Sequence, residues 1–474
     1  MDGLKPSQRK ILFGCLKRGL RQEIRVAQLA GYVSEHAAYH HGEASLNSTI
    51  TGMGQTFVGS NNINLLVPIG QFGSRLLGGK DSASPRYIHT HLEPIVDTLF
   101  RKEDSAILKY IEDDGLAVEP ETYLPVVPLL AINGCVGIGT GFSTDIPPHN
   151  PSDIVGLIRD RLTGNRPSLS GLSPKPWWFG FKGSIVQANE DTWITKGIYT
   201  MDDSKRSVTI TELPVGTWTK DYKVFLDTLC GGDGPAAVGD DGKPVMKTFD
   251  DLYDDDTVRF VLYIEPDYYE DIKADVAEFE KRFKLTTSWR LSNMTCFDTG
   301  MRIVKYSTIG DMLEAFFGPR LEAYERRRLN EMSRLERDAL EADAKARFLR
   351  AVLDGTLDLR RASDEDIVAA MKHHSLPPLS EPSSPDSIDA YDYLLRLRMD
   401  RVKAKAIEDA EMAVMAARAA YETLRDTTAS ALWLQDLEDF ESSWDVMQMV
   451  RQHAGSSTKK KRANVSVKGS GKAR

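Results

Sequence analysis

The sequence predicts an α+β fold laid out in consecutive parts, and three observations lead there. Short helical stretches and a glycine-rich segment fill the first third. Runs rich in β-branched and aromatic residues mark the middle. Long helical patterns occupy the last third. At 474 residues and 41% hydrophobic content, the chain can build several cores.

The first part, residues 1–150, opens at Pro6, which suits the first turn of a helix. Ile11, Leu12, Cys15 and Leu16 come next at close to helical period. A second helix is expected near Val26–Ala30. A third follows Gly42, with Leu46, Ile50 and Met53 on one face. Three short helices before the glycines at 70, 73, 78 and 79 suit a winged-helix module.

In the second part, residues 151–306, Ser184–Val186, Val208–Leu213 and Val258–Ile264 read as strands. Gly and Asp clusters at 231–242 mark a loop. The third part, 307–455, begins with an apolar stripe of Ile309, Met312, Leu313, Phe316 and Phe317. Gly318-Pro319 predicts a kink or break, with Pro319 near a new first turn. Pro377–Pro385 reads as a loop, and a second long helix is expected from about Ser387 to Thr427. Two long helices around a smaller helical segment suggest an antiparallel coiled coil with a globular tip, and equally a plain helical bundle. Residues 456–474 are poor in apolar side chains and read as a basic disordered tail. Its Lys459-Lys460-Lys461-Arg462 run fits a nuclear localisation signal, a phosphate-binding arm or a solvated charge run.

Charge is distributed unevenly. The net charge is −9, yet residues 1–91 hold ten Lys/Arg against five Asp/Glu. Residues 459–474 hold seven basic residues and no acid, which leaves a balance of −21 for 92–458. An acidic body with a basic N-terminal face suits a nucleic-acid partner; ordinary charge scatter explains the same numbers. No apolar run reaches the ~20 residues of a membrane span. Lys5, Arg9 and Lys10 argue against a signal peptide. Cys15, Cys135, Cys230 and Cys296 lie far apart without C-x-x-C spacing, which predicts a reducing compartment, no disulfide framework and no zinc site.

A tyrosine can attack a phosphodiester and keep that bond's energy in the new one, once its proton is taken. Cations must then stabilise the crowded phosphate. Ser84-Pro85-Arg86-Tyr87 places a guanidinium, whose planar fork matches phosphate oxygens, beside a phenol. Tyr39-His40-His41-Gly42-Glu43 supplies histidines that can donate to a phosphate or move a proton near neutral pH. Neighbouring side chains diverge and no His-x-x-x-His spacing is present, so no metal is expected there. Gly137-Ile138-Gly139-Thr140-Gly141 lacks the sixth-position glycine of a dinucleotide fingerprint, where Phe142 stands. Each signal alone is weak.

Together and in order they carry more. Met1-Asp2-Gly3-Leu4-Lys5-Pro6-Ser7-Gln8-Arg9-Lys10, Tyr39–Glu43, Gly59-Ser60-Asn61-Asn62, Pro68–Gly73, Gly78–Tyr87, Ile132-Asn133-Gly134 and Gly137–Gly141 closely resemble the breakage-reunion region of eukaryotic-type DNA topoisomerase II, a type IIA enzyme. The resemblance continues weakly through Ile210–Pro214, Thr217–Thr219, Tyr393–Leu395 and Leu432–Phe440, and spans nearly the whole chain except the tail. It implies that Tyr87 is the nucleophile joined to the 5′ phosphate, with Arg86 beside it and His41 on the phosphate. Lys5, Arg9, His40, Lys80 and Ser84 would line the DNA. Ile138 would wedge between base steps and bend the duplex. By the same resemblance the first part is a winged-helix DNA-binding domain, the middle a "tower" along which DNA lies, and the long helices a coiled coil ending in a helical dimer gate.

The implied partners are double-stranded DNA, a second copy of the chain, and an ATPase/Toprim part missing from it, in cis or as a separate polypeptide. Mg2+ and ATP would be held by those missing regions. Asp254-Asp255-Asp256 is no convincing substitute for the Toprim carboxylates, so the chain alone is expected to bind DNA but cleave it poorly or not at all. Gly216 stands where the family commonly has arginine, and Gly318-Pro319 is unusual in the coiled coil. The resemblance implies a nuclear setting, with an organelle or a virus-infected host as alternatives. A non-catalytic DNA-binding dimerisation scaffold is the other reading of the same fold.

Overall fold

The computed structural model describes residues 1–113, 115–139, 141–230, 244–359, 362–379, 387–397 and 404–469, with side chains to residue 453. The expected loop at 231–242 lies outside them. The chain forms two compact units, Met1–Arg320 with Leu434–Arg474, and Leu321–Trp433.

The first unit begins with helices α1 (Pro6–Arg18), α2 (Val26–His36) and α3 (Glu43–Gly54). Pro6 sits in the first turn of α1, and Gly19 ends it in the left-handed conformation, its N–H returning to Leu16. Ile11, Leu12 and Cys15 of α1 pack with Leu29 and Val33 of α2 and Leu46 and Ile50 of α3 as buried residues. A two-residue antiparallel pair, Ile24–Arg25 with His89–Thr90, closes the cluster.

Beyond it, Cys135–Gly139 and Phe142–Ile146 form a tight hairpin. The middle region is antiparallel throughout. Met246–Asp251, Phe260–Ile264, Ser207–Glu212 and Ile198–Asp202 lie in that order in one sheet. Thr286–Arg290, Thr192–Lys196 and Ser184–Asn189 make a second. Helix Thr219–Cys230 is amphipathic, and its Tyr222, Leu226 and Leu229 meet Val208, Ile210, Phe260, Leu262 and Phe283 in one core. The buried Tyr222 hydroxyl donates to Phe283 O at 2.8 Å, so its polar end is not stranded. A last hairpin, Met294–Phe297 with Ile303–Tyr306, completes the region.

The final helix, Ala429–Gly469, returns to this unit. Trp444 meets Trp177 and Phe179 edge-on. Arg451 lies 3.9 Å over the Phe179 ring and donates to Asn62 O at 2.7 Å and Thr56 O at 2.8 Å. The backbone of this helix runs to Gly469, into the segment where the sequence predicts a disordered tail.

Two expectations for the long helices need correction. Helix Ile309–Leu353 runs unbroken through Gly318-Pro319, so Pro319 is not a first-turn residue. Packing overrides the lost N–H: Phe316 and Phe317 are buried, and the fully buried Arg320 donates to Pro125 O (3.0 Å) and Asp104 (2.8 Å). The second long helix covers Ala404–Asp426 rather than starting near Ser387. Ile388–Tyr391 and Asp392–Leu395 are short separate helices instead, because Ala390, Tyr391 and Leu394 turn into the core of the second unit.

That core also holds Phe348, Leu357, Val368 and Met371. The two long helices are antiparallel. Arg328 donates to Arg425 O and Arg350 pairs with Glu411, so low numbers on one helix meet high numbers on the other; just beyond, Tyr324 stacks on Trp433 of the final helix.

His149 sits where the first 150 residues join the middle region. It is fully buried, with Nδ1 3.0 Å from Ala131 O. Burial lowers its pKa from 6.5 to about 4, outweighing the backbone carbonyls that raise it. The folded chain therefore keeps it neutral where the unfolded chain would protonate. Its stabilising contribution is complete above about pH 6.5 and is lost as pH falls toward 4, by about 3 kcal/mol in all. Urea unfolding is expected to lose more stability between about pH 7 and about pH 5 in the wild type than in His149→Gln. Equal losses in both would show that this histidine is not the titrating group.

Candidate active site

The segment from Gly70 to Tyr87 is irregular, yet it is fixed from two sides. From α3, Gln55 Nε2 donates to Phe72 O (2.9 Å) and Gly79 O (3.2 Å). Asp81 accepts from the Ser74 N–H (2.9 Å) and hydroxyl (2.5 Å). Gly73, at φ +101, crosses Gly79 so closely that a Cβ would lie 2.5 Å from Gly79 O.

From the middle region, the buried Arg75 guanidinium binds Glu212 at 2.5 Å and Leu213 O at 2.9 Å. The first N–H groups of helix Thr219–Cys230 donate to this same segment, Thr219 to Arg75 O (3.4 Å) and Lys220 to Leu76 O (3.1 Å). Gly78, at φ +60, lies against the indole of Trp218, and a Cβ there would come within 2.3 Å of a ring carbon.

At the end of this segment stands Tyr87. Its N–H donates to Ser84 O at 2.9 Å. The flanking carbonyls accept from the first turn of α2, Ile88 O from Val26 (3.0 Å) and Pro85 O from Ala27 (3.1 Å). These are donors that a helix N-terminus leaves open. The backbone is thus pinned while the Tyr87 side chain is 77% exposed. Arg86 is exposed and makes no hydrogen bond or ion pair among the described residues, so its fork is free for an anion. Ser84 and Lys80 are exposed on the same segment.

The other predicted residues are spread more widely. His41 is exposed just before α3, its ring edge-on to the buried Tyr39 at 5.5 Å. His40 lies 3.5 Å from Asp113, a pair that is ionic only when the imidazole is protonated. No hydrogen bond joins either histidine to Tyr87. Lys5 caps α1 and donates to Val136 O at 3.0 Å, which brings it to the root of the Ile138 hairpin.

Arg9 is engaged within the chain. It forms a two-pronged pair with Asp2 (2.8 and 3.0 Å) and donates to Leu4 O, with its side chain only 17% exposed. Burial acts to lower its pKa, and the Asp2 bonds and charge prevail to raise it. Asp2 in turn accepts from Tyr123 N–H at 2.8 Å. Arg9 therefore ties the N-terminal segment down instead of facing solvent.

Ile138 is 95% exposed, at the end of a short hairpin opposite Ser143. Val136, two residues back on the same face, is also exposed. An isoleucine in water forgoes about 1.5–3 kcal/mol of burial. Such a side chain stands ready to be covered. At the hairpin root, burial raises the Asp145 carboxyl above its usual range.

Sequence reasoning gave no role to Arg75, Glu212, Trp218 or Gln55. The glycine cluster was the only signal that something packs tightly there. Gly216, at φ +86, has ordinary room beside Trp289, but a side chain there would be strained. Asp254 uses its carboxylate on the N–H groups of Asp256 and Thr257. Among the described residues no group of three or more His, Cys, Asp or Glu is placed to hold a metal.

Comparison with known proteins bears on what this surface is. The family model for the A subunit of DNA gyrase/topoisomerase IV matches residues 1–438. A DNA topoisomerase 2 of Arabidopsis thaliana is 38% identical over 95% of the chain, and one of Plasmodium falciparum 36% over 94%. A mitochondrial DNA topoisomerase 2 of Dictyostelium discoideum is 36% identical over 92%. The chain spans about a third of the length of these relatives (32%, 32% and 33%). A crystal structure of the P. falciparum topoisomerase II DNA-binding, cleavage and re-ligation domain superposes with a TM-score of 0.86 at 36% identity, covering 96% of this chain and 62% of that one.

Gly78→Ala tests the clamp on the Tyr87 segment. It combines a strained φ with a clash against Trp218. Amide exchange across residues 74–87 is expected to quicken by about tenfold or more, with the sheet core at 207–212 unaffected. Unchanged exchange in that segment would show that the indole does not hold it.

Proposed function

The chain belongs to the family of DNA gyrase/topoisomerase IV A subunits, and on that premise we propose that it is the DNA-cleaving and rejoining part of a type II DNA topoisomerase. One observation carries the reading: an exposed tyrosine, on pinned backbone, beside an arginine with no carboxylate partner among the described residues. Tyr87 Oη attacks a DNA phosphorus, the bond from phosphorus to the 3′ oxygen breaks, and the 3′-hydroxyl leaves with a proton. The 5′ end stays on the tyrosine as a phosphodiester, so resealing is the same step reversed. Arg86 offers its fork to the phosphate oxygens as charge gathers there. His41 donates to the phosphate, and Lys5, His40, Lys80 and Ser84 lie along the DNA.

The three-helix cluster with its strand pair acts as a winged helix, and Ile138 enters between base steps to bend the duplex. Two copies act together, one duplex passing through the double-strand break in another, with the helical core of the second unit as their gate. In the complete enzyme Mg2+ would supply positive charge to the phosphate and ATP the energy for passage. By the family resemblance both would be held by the ATPase/Toprim part. A nuclear setting rests on the basic run at 459–462, while one relative is mitochondrial by name.

The test is to add the complementing Toprim-containing part, magnesium and duplex DNA, then trap covalent adducts. Tyr87→Phe is expected to abolish them, and Arg86→Ala to reduce them by about 10²-fold or more. Adducts that persist in Tyr87→Phe would remove the nucleophile assignment. Duplex binding with no adduct from the wild type would favour the scaffold reading.

Ile138→Ala is expected to reduce DNA bending, read by energy transfer between the ends of a labelled duplex, with little loss of fold stability. An unchanged bend angle would end the wedge assignment.

A further inference from the structure

Next to the Ile138 hairpin stands a second one that the proposed function does not use. Its strands pair from Met294↔Tyr306 to Phe297↔Ile303, leaving a tip at Asp298–Arg302. The tip is stiff. The Asp298 carboxylate accepts from Gly300 N–H (2.8 Å), Arg302 N–H (2.9 Å) and Arg302 Nε (2.9 Å). The backbone closes with Asp298 N–H to Arg302 O (2.9 Å) and Met301 N–H to Asp298 O (3.1 Å).

At its apex Met301 is 75% exposed with φ at +60. Both properties are unfavourable. A side chain other than glycine strains the left-handed conformation by about 1 kcal/mol or more. Its apolar surface gains nothing from the fold. Asparagine or glycine would serve such a tip better, so the methionine has a use outside the chain.

The two hairpins pack against each other. Phe142, beside the first tip, meets Phe297, beside the second, edge-on at 5.9 Å. Asn293 Nδ2 donates to Ser143 Oγ at 3.0 Å, and Ser143 is the strand partner of Ile138. Strands packed in this way set the tips within about 20 Å, some six base steps of a duplex. The carboxylate at the second tip is neutralised by Arg302 at 2.7 Å, and Lys305 is exposed on the strand behind it. Ile303, opposite Phe297, is exposed as well.

We infer that Met301 is a second DNA-contacting prong beside Ile138, seated against base edges or a base step of the same duplex. The inference rests on the proposed function above. A duplex fits better than a protein partner because the apolar groups are separate points on two hairpins, with Lys5 and Lys305 behind them. That is the form of a groove wedge. An unbranched thioether adapts to an uneven groove floor.

Peroxide footprinting of the intact chain tests this directly, the thioether taking one oxygen as peroxide becomes water. Duplex binding is followed by anisotropy in the same samples. With a duplex of about 30 base pairs bound at saturation, sulfoxide formation at Met301 is expected to slow by at least about fivefold. Met412 and Met415, exposed on the second unit, serve as controls and should not change. Duplex bound with Met301 still oxidised at its free rate would overturn the prong and leave the proposed function standing. No binding at any concentration would overturn both. Met301→Asn separates contact from fold. It relieves the strained φ, so thermal stability should hold or rise while duplex affinity falls; a fall in stability with unchanged affinity would assign Met301 to the fold alone.

Discussion

The geometry around Tyr87 depends on one buried ion pair. Arg75 lies in the segment that leads to the tyrosine, and Glu212 ends a strand of the middle sheet. Both are almost fully buried. Charges removed from water in this way are tolerated only when each is satisfied, and loss of one partner strands the other at a cost of about 3–5 kcal/mol. The pair therefore holds the tyrosine segment in register with the middle region. Trp218 against Gly78 and the two helix N–H groups complete the attachment. Gln55 secures the other side. An irregular segment with few strands or helices of its own gains a fixed shape by borrowing from two regular ones.

Local patterns in the sequence were legible where the cause is local. Pro6 does open α1, and Gly42 leads into α3. The three strand runs of the middle region appear with shifted ends, because register with neighbours sets where pairing stops. Gly318-Pro319 misled, since the signal for a helix break is local and the packing of Arg320 that overrides it is not. The pairing of Arg9 was not legible either: its partner Asp2 is close in sequence, but only the fold buries the pair. The Arg75–Glu212 contact joins residues 137 positions apart and has no sequence signature at all. Ile138 and Met301 could not be separated from core residues by composition, because exposure is a property of the finished structure.

The uneven charge takes on a meaning once the site is placed. Tyr87, Arg86, His41 and Lys5 all fall in the basic first 91 residues, while the rest of the body is acidic. A polyanion is repelled from most of the molecule and attracted to the part that carries these residues. That bias favours productive encounters before any specific contact forms, and it weakens as salt screens it.

The attachment of Tyr87 to α2 has a mechanical consequence. Under the proposed reaction a severed DNA end hangs from the phenol while the break is held open. Any tension on that end would reach the backbone between Pro85 and Ile88. There it meets two hydrogen bonds running into the first turn of α2, a helix whose Val26, Leu29 and Val33 are buried. The pull would be shared with a packed helix rather than taken up by a slack loop. A tethered end would then stay close to where it was cut, which is the condition for joining it again.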